Sequence, residues 1–265
     1  MQDFQFKDKY DAYDLVKIMQ LLRAPGGCPW DAEQTHQSIK KNLIEETYEV
    51  IEAINKDDKV LMCEELGDLL MQVVFHALME QESGVFDFDD VADGVCKKLI
   101  ERHPHVFGEV SVSGVDDVLT NWDAIKRKSK GQKTTTESML SVPRELPALM
   151  RATKLQKKAA DVGFDWSDAS GALDKVDEEA AELRAAVANQ DKENIAEELG
   201  DLLFSAVNVS RFVKVDAEEA LTAASDKFLS RFTEVERMAA ERGIDMKTAG
   251  IETLDRLWDE AKLQK

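Results

Sequence analysis

Apolar positions recur at three- and four-residue spacing through most of the 265-residue chain, as in Ile44, Tyr48 and Ile51, or Leu66, Leu69, Leu70, Val73 and Val74. That interval traces one face of an α-helix, because 3.6 residues complete a turn. The pattern predicts helices near 11–23, 37–55, 60–82, 89–102, 116–128, 145–161, 170–189, 192–213, 217–242 and 250–263. Asp216 followed three residues later by Glu219 reads as a capping-box-like start, and Gly243 as a stop. Pro104, close behind Arg102, should break the helix that carries Arg102. Five prolines and thirteen glycines leave few breakers, and 7% aromatics favour helices over a sheet. The expected fold class is all-α.

Residues 129–143, SKGQKTTTESMLSVP, are polar, hold a glycine and a threonine run, and lack helical periodicity, so a linker is expected there. It would separate a unit spanning 1–128 from one spanning 144–265. The two halves repeat each other. Glu45-Glu46-x-x-Glu49 returns as Glu178-Glu179-x-x-Glu182, and Glu65-Leu66-Gly67-Asp68 as Glu198-Leu199-Gly200-Asp201, each 133 residues later. Lys98-x-x-x-Arg102 is echoed by Lys227-x-x-x-Arg231, and Trp122-Asp123-x-x-Lys126 by Trp258-Asp259-x-x-Lys262. Four elements kept in order point to internal duplication, each copy a helical bundle of its own.

The repeated acids carry candidate chemistry. Glu46 with Glu49, and Glu65 with Asp68, are i,i+3 pairs, so each lies on one side of its helix. Glu49 and Glu65 are both eight positions from Asp57, about 12 Å along each helix from a turn centred there. A hairpin of the two helices therefore stacks four carboxylates at two matching heights. The second copy has the same symmetry about Gln190, with Glu182 opposite Glu198 and Glu179 opposite Asp201. Four acids at close quarters raise one another's pKa values unless a cation sits among them. All-oxygen ligands suit a hard ion, Mg²⁺ or alternatively Mn²⁺, that shares its coordination with phosphates. The competing reading is a set of solvent-facing helix acids.

Charge and composition narrow the partners. Apolar residues at 43% are enough for a core despite 33% charged residues. An excess of 53 acidic over 34 basic residues, a formal charge of −19, repels nucleic-acid backbones and anionic lipid, so neither is an expected partner. Cys28, Cys63 and Cys96 are widely spaced, odd in number and without a CxxC, which argues for reduced thiols and a cytoplasmic protein. The amino-terminal segment has no basic and apolar signal pattern, and the longest apolar stretch, 69–79, is interrupted by Gln72 and His76. His103-Pro104-His105 reads as a loop rather than a metal site, and Cys28 as part of a turn. There is no Gly-rich phosphate loop, GxSxG or HExxH.

EExxE followed after a gap by ExxD resembles the MazG family of all-α nucleoside triphosphate pyrophosphohydrolases. The tandem arrangement strengthens the likeness, as do GCPWD at 27–31, RHPHVFGE at 102–109 and VGFDW at 162–166. The resemblance covers nearly the whole chain. It implies cleavage between the α and β phosphates of nucleoside triphosphates, a role in controlling the nucleotide pool, a Mg²⁺ requirement and a homodimer. Glu179, Glu182, Glu198 and Asp201 match the family's metal ligands, with Lys175, Glu178 and Glu197 beside them. Lys227 and Arg231 match its phosphate-binding pair, and Trp258 and Lys262 its nucleotide-contacting pair. Glu178 is the candidate for orienting the attacking water.

Both copies keep the acids. The resemblance favours the carboxyl-terminal copy as catalytic, leaving Glu46, Glu49, Glu65 and Asp68 to a structural or regulatory metal, or to slower catalysis. Two rival classes stay open. A ferritin-type di-iron protein uses Glu-x-x-His, whereas Asp68 or Asp201 stands at that position here. The other is an acidic helical partner protein without catalysis.

Overall fold

The computed structural model describes residues 4–263, without the side chains of Asp116, Leu119 and Asp123. The outermost residues of the two expected units, and the acid of the Trp122-Asp123 motif, therefore lie outside the described residues. The chain divides into two compact units, residues 1–126 and 127–265. All regular elements among the described residues are helices. The first unit holds α1 (Ala12–Arg23), α2 (Pro29–Glu33), α3 (Lys40–Asn55), α4 (Lys59–Glu82), α5 (Phe88–Arg102) and α6 (Pro104–Phe107). Helix α7 (Val115–Ser129) crosses the boundary, and α8 (Thr135–Leu140), α9 (Ala148–Ala160), α10 (Ala169–Asn189), α11 (Lys192–Phe212), α12 (Ala217–Glu241) and α13 (Ile251–Leu263) complete the second.

Each unit is organised around one helical hairpin, α3 with α4 and α10 with α11. The two turns are alike. Asp57 and Gln190 end the first helix of each pair in the left-handed region, at φ 52° and 56°. The next residue's amide then reaches back to close the turn, Asp58 to the Ala53 carbonyl at 3.1 Å and Asp191 to that of Ala186 at 3.2 Å. The same aspartates start the second helix, Asp58 accepting from the amides of Val60 and Leu61 and Asp191 from that of Asn194. Ala53 and Ala186 are fully buried, so a methyl group is all that separates the helices beside each turn.

Apolar packing fixes what surrounds the hairpins. In the first unit Met19 of α1, Ile39 and Val74, Phe75, Leu78 and Met79 of α4 form one cluster. Arg23 closes its end, bridging to both carboxylate oxygens of Glu82 at 2.7 Å. Gly27 is required where α1 turns into α2: an added Cβ would meet the Leu21 carbonyl at 2.3 Å. In the second unit Val235, Met238 and Ala239 of α12 pack on Leu257 and Ala261 of α13. Gly243, at φ 64°, follows the end of α12 as its position predicts. Asp216 caps α12 by accepting from the Glu218 and Glu219 amides, the side-chain half of the expected box.

Three short helices correct the expectations. Residues 129–143 are not a plain linker, because they carry α8, and Ser138 and Val142 are buried. The Thr134 hydroxyl and Glu137 carboxylate cap each other's amides at 3.1 Å, a start signal hidden inside the threonine run. Six residues are too few to display a 3.6-residue period. Pro104, expected to break α5, does so and then opens α6, making a helical turn of the expected two-histidine loop. Pro29 opens α2 in the same way.

Packing at the hairpin turn gives the first prediction. Ala186→Leu forces α10 from α11 and lowers the urea midpoint by the equivalent of about 1–3 kcal/mol. Ala185→Leu, at the exposed neighbouring position, should leave it in place. Equal midpoints for the two variants would show that the close approach is not limiting.

Candidate metal centre

The common turn geometry sets the register that brings acids together. In the second unit, carboxylate oxygens of Glu179 and Glu182 on α10 and Glu198 on α11 all lie within 4.8 Å of one another. Glu46, Glu49 and Glu65 form the same group on α3 and α4. Asp201 and Asp68, expected as equal members of four-acid sets, fall outside these groups of three. They remain close enough for their charge to act. The Glu198 carboxyl is pushed up by partial burial first, then by Glu182, Glu179, Glu197 and Asp201. Glu65 is pushed up in the same way, by burial and then by Glu49, Glu64, Asp68 and Glu52. Each group gathers three carboxylates within 4.8 Å, and an all-carboxylate donor set of this spacing suits a hard divalent ion.

The copies differ in how they treat the inner acid. Glu179 is only 4% exposed, and the Lys175 ammonium reaches it at 2.6 Å and Glu178 at 3.0 Å. Both contacts raise the Lys175 pKa above its ordinary value, Glu179 more than Glu178. The first copy has Asn42 in place of that lysine. There the Glu46 carboxyl is raised by burial, by a hydrogen bond with Glu49 and by the Asp68 charge, with Gln72 acting the other way. The lysine one turn before the second glutamate of the motif is the signal that distinguishes the copies.

The predicted basic and aromatic residues gather at α12 and α13. The Arg231 guanidinium stacks over Trp258 at 5.9 Å, and Phe228 packs on the same ring at 5.2 Å. Arg102 covers Trp122 at 5.4 Å in the first unit, so the duplicated pairs keep one contact. Lys227 is exposed on α12, and Lys262 pairs with Asp259 at 2.8 Å. Glu197 is exposed beside Glu198. Among the described residues no ion pair joins Lys227, Arg231 or Lys262 to the Glu179 group. His103 meets Trp122 edge to face at 4.9 Å and donates its Nδ1–H to the Leu99 carbonyl, a packing role.

Comparison with known proteins agrees with the duplicated plan. The family model described as the MazG nucleotide pyrophosphohydrolase domain matches residues 34–107 and 170–235, which contain both acidic hairpins. The nucleoside triphosphate pyrophosphohydrolase of Escherichia coli (strain K12) is 47% identical over 256 residues, 95% of this chain and 97% of that protein. Nucleoside triphosphate pyrophosphohydrolase/pyrophosphatase MazG of Thermotoga maritima is 45% identical over 94% of each chain. YabN of Bacillus subtilis is 50% identical over 92% of this chain, which spans 50% of that protein. With one domain model matched twice and similarity running almost end to end, this chain belongs to the MazG nucleotide pyrophosphohydrolase family.

Proposed function

We propose that this protein hydrolyses nucleoside triphosphates to nucleoside monophosphates and pyrophosphate with Mg²⁺, and that the carboxyl-terminal hairpin carries the reaction. The observation that supports this most is the convergence of Glu179, Glu182 and Glu198 within 4.8 Å on a hairpin of the matched domain. The names of the E. coli and T. maritima relatives support the substrate class. Carboxylates alone, without a histidine in either group, favour this reading over a ferritin-type di-iron centre.

In this reading Glu179, Glu182, Glu198 and Asp201 hold the ion, and the first-copy set Glu46, Glu49, Glu65 and Asp68 holds a second, non-essential one. The ion supplies neutralisation of triphosphate charge and a more acidic bound water. Glu178, anchored by Lys175, accepts the proton of a water aimed at the α phosphorus as the bond to the departing pyrophosphate breaks. Lys227 and Arg231, one helical turn apart, donate to phosphate oxygens, and Trp258 with Lys262 flanks the nucleoside. Lys175 and Glu197 border the same site. Exposed Leu199, Leu203, Phe228 and Leu229 support pairing of two copies as a homodimer. Among the described residues no helix is long and apolar enough to cross a membrane; three free cysteines suit the cytoplasm.

Two measurements test the reading. Glu198→Gln should lower pyrophosphate release from a nucleoside triphosphate and Mg²⁺ on the order of 100-fold or more while leaving circular dichroism unchanged. Undiminished release by a folded variant removes Glu198 from the site. A divalent ion should also raise the melting temperature at neutral pH. Glu46, Glu65 and Glu198 bind protons more tightly folded than unfolded, so their contribution stabilises the metal-free protein at low pH. That contribution disappears as pH rises through their raised pKa values. The increment from the ion should therefore grow with pH across the carboxylate range and just above it. An increment that does not change with pH would place the ion elsewhere.

A further inference from the structure

The first unit carries a histidine pair that the second lacks. His36 lies in the segment between α2 and α3, and His76 on α4. Their Nδ1 atoms are 2.7 Å apart, with the rings parallel within 4°, and His36 Nε2 lies 2.7 Å from the Glu80 carboxylate. His76 and Glu80, one turn apart on α4, thus hold both ring nitrogens of His36. The residues 133 positions later are Ala169, Val209 and Val213, whose side chains make no hydrogen bonds.

The partners fix the proton count of the pair. A carboxylate accepts, so His36 Nε2 bears a hydrogen and donates it to Glu80. Two imidazole nitrogens at 2.7 Å share one hydrogen, so in the neutral pair His76 donates its Nδ1–H to the lone pair left on His36 Nδ1. His76 Nε2 then keeps a lone pair, and that atom is buried without a partner.

Added protons undo this arrangement in two steps. The first makes His36 an imidazolium and moves the hydrogen of His76 to Nε2, where nothing accepts it. The second puts a hydrogen on both Nδ1 atoms, and two donors on two positive rings repel where a bond had been. The surroundings oppose that charge as well: burial first, and then the charge of His36, hold the His76 ring below the ordinary histidine range. Charged groups on the elements around α4 have other partners. Arg23 of α1 is bound to Glu82 and acted on by Asp31 of α2, Asp14 is paired with Lys7, Asp87 and Asp90 cap α5, and Glu46 of α3 meets Gln72. Lys17, Lys40 and Lys41 are exposed.

What the pair holds is the entry to α3. Ser38 bonds with Gln34 and Thr35 in a turn around His36, and the Gln34 carbonyl accepts from Arg23 at 3.3 Å. Ile39, the next residue, is buried in the cluster that α4 shares with α1. Helix α3 begins at Lys40 and carries Glu46 and Glu49.

We propose that His36, His76 and Glu80 form an acid-labile latch, which holds the entry to α3 against α4 at neutral pH and releases it when the pair takes up protons. The latch acts within the first unit and does not depend on what the carboxyl-terminal acids bind or hydrolyse. His76 binds protons less tightly folded than unfolded. Its contribution to stability is therefore complete above the ordinary histidine pKa and is gone once pH has fallen through the lowered one.

Hydrogen exchange of the full chain at about pH 7.5 and about pH 5.5, corrected for intrinsic rates, reads the latch. Protection of amides 35–43 in the wild type should fall about tenfold or more at the lower pH, while that of α12 and α13 stays in place. His76→Asn and His36→Asn each replace one ring by an amide that does not titrate, so either variant should show the same protection of 35–43 at both pH values. Using both keeps the test open if one variant fails to fold. Long-range proton–nitrogen spectra should show His76 as the Nδ1–H tautomer at neutral pH, titrating below the ordinary histidine range. Unchanged protection in the wild type, an equal pH-dependent loss in a folded variant, or His76 as the Nε2–H tautomer at neutral pH would each overturn the latch.

Discussion

Repulsion among carboxylates is the constraint around which each unit is arranged. Three glutamates with oxygens within 4.8 Å do not gather by attraction; the helices force them together. The force comes from the turn. Asp57 and Gln190 accept left-handed geometry, and Ala53 and Ala186 let the paired helices approach. Apolar packing elsewhere must then outweigh the electrostatic cost, as the Met19–Phe75 and Val235–Leu257 clusters do. A cation at the acids relieves the same repulsion, which is why a metal reading follows from the fold's energetics as well as from the donor chemistry.

The duplicated units started from one plan and have separated in three places. Lys175 neutralises the inner glutamate of the second copy, whereas the first has Asn42 and a Glu46–Glu49 hydrogen bond. Arg211 and Asn208 keep a space open where Leu78 and Phe75 fill it. The basic pair Lys227 and Arg231 sits on the uninterrupted helix α12, whereas α5 stops at Arg102 before Pro104. The first two differences furnish the second copy with cationic or polar groups that the first lacks, and the third leaves its basic pair on a continuous helix. Glu82 has taken up Arg23 in the first copy, an ion pair that closes its packed core.

The aromatic–cation contacts link the outer helices to this chemistry. Arg231 over Trp258 and Arg102 over Trp122 show that the guanidinium in each copy has a stacked resting place. A stacked arginine keeps its N–H groups in the ring plane free to meet an anion. In the second unit the exposed Phe228 also packs on the same indole, so the guanidinium and a second ring share one aromatic surface.

Sequence by itself determined the long helices, the duplication, and the hairpin register that makes Asp57 and Gln190 turn centres. These are local or periodic properties, written into spacing by the 3.6-residue turn. It did not determine helices α2, α6 and α8, because four to six residues are shorter than a readable period, so residues 129–143 gave no helical pattern. Tertiary structure alone decided that Asp68 and Asp201 stand outside the groups of three, since the spacing fixes height along a helix but not how the partner helix is rotated against it. It also decided that Trp166, Phe204 and Gln156, from three separate elements, border one cavity. A cavity is defined by where side chains fail to meet, and no one-dimensional pattern records that.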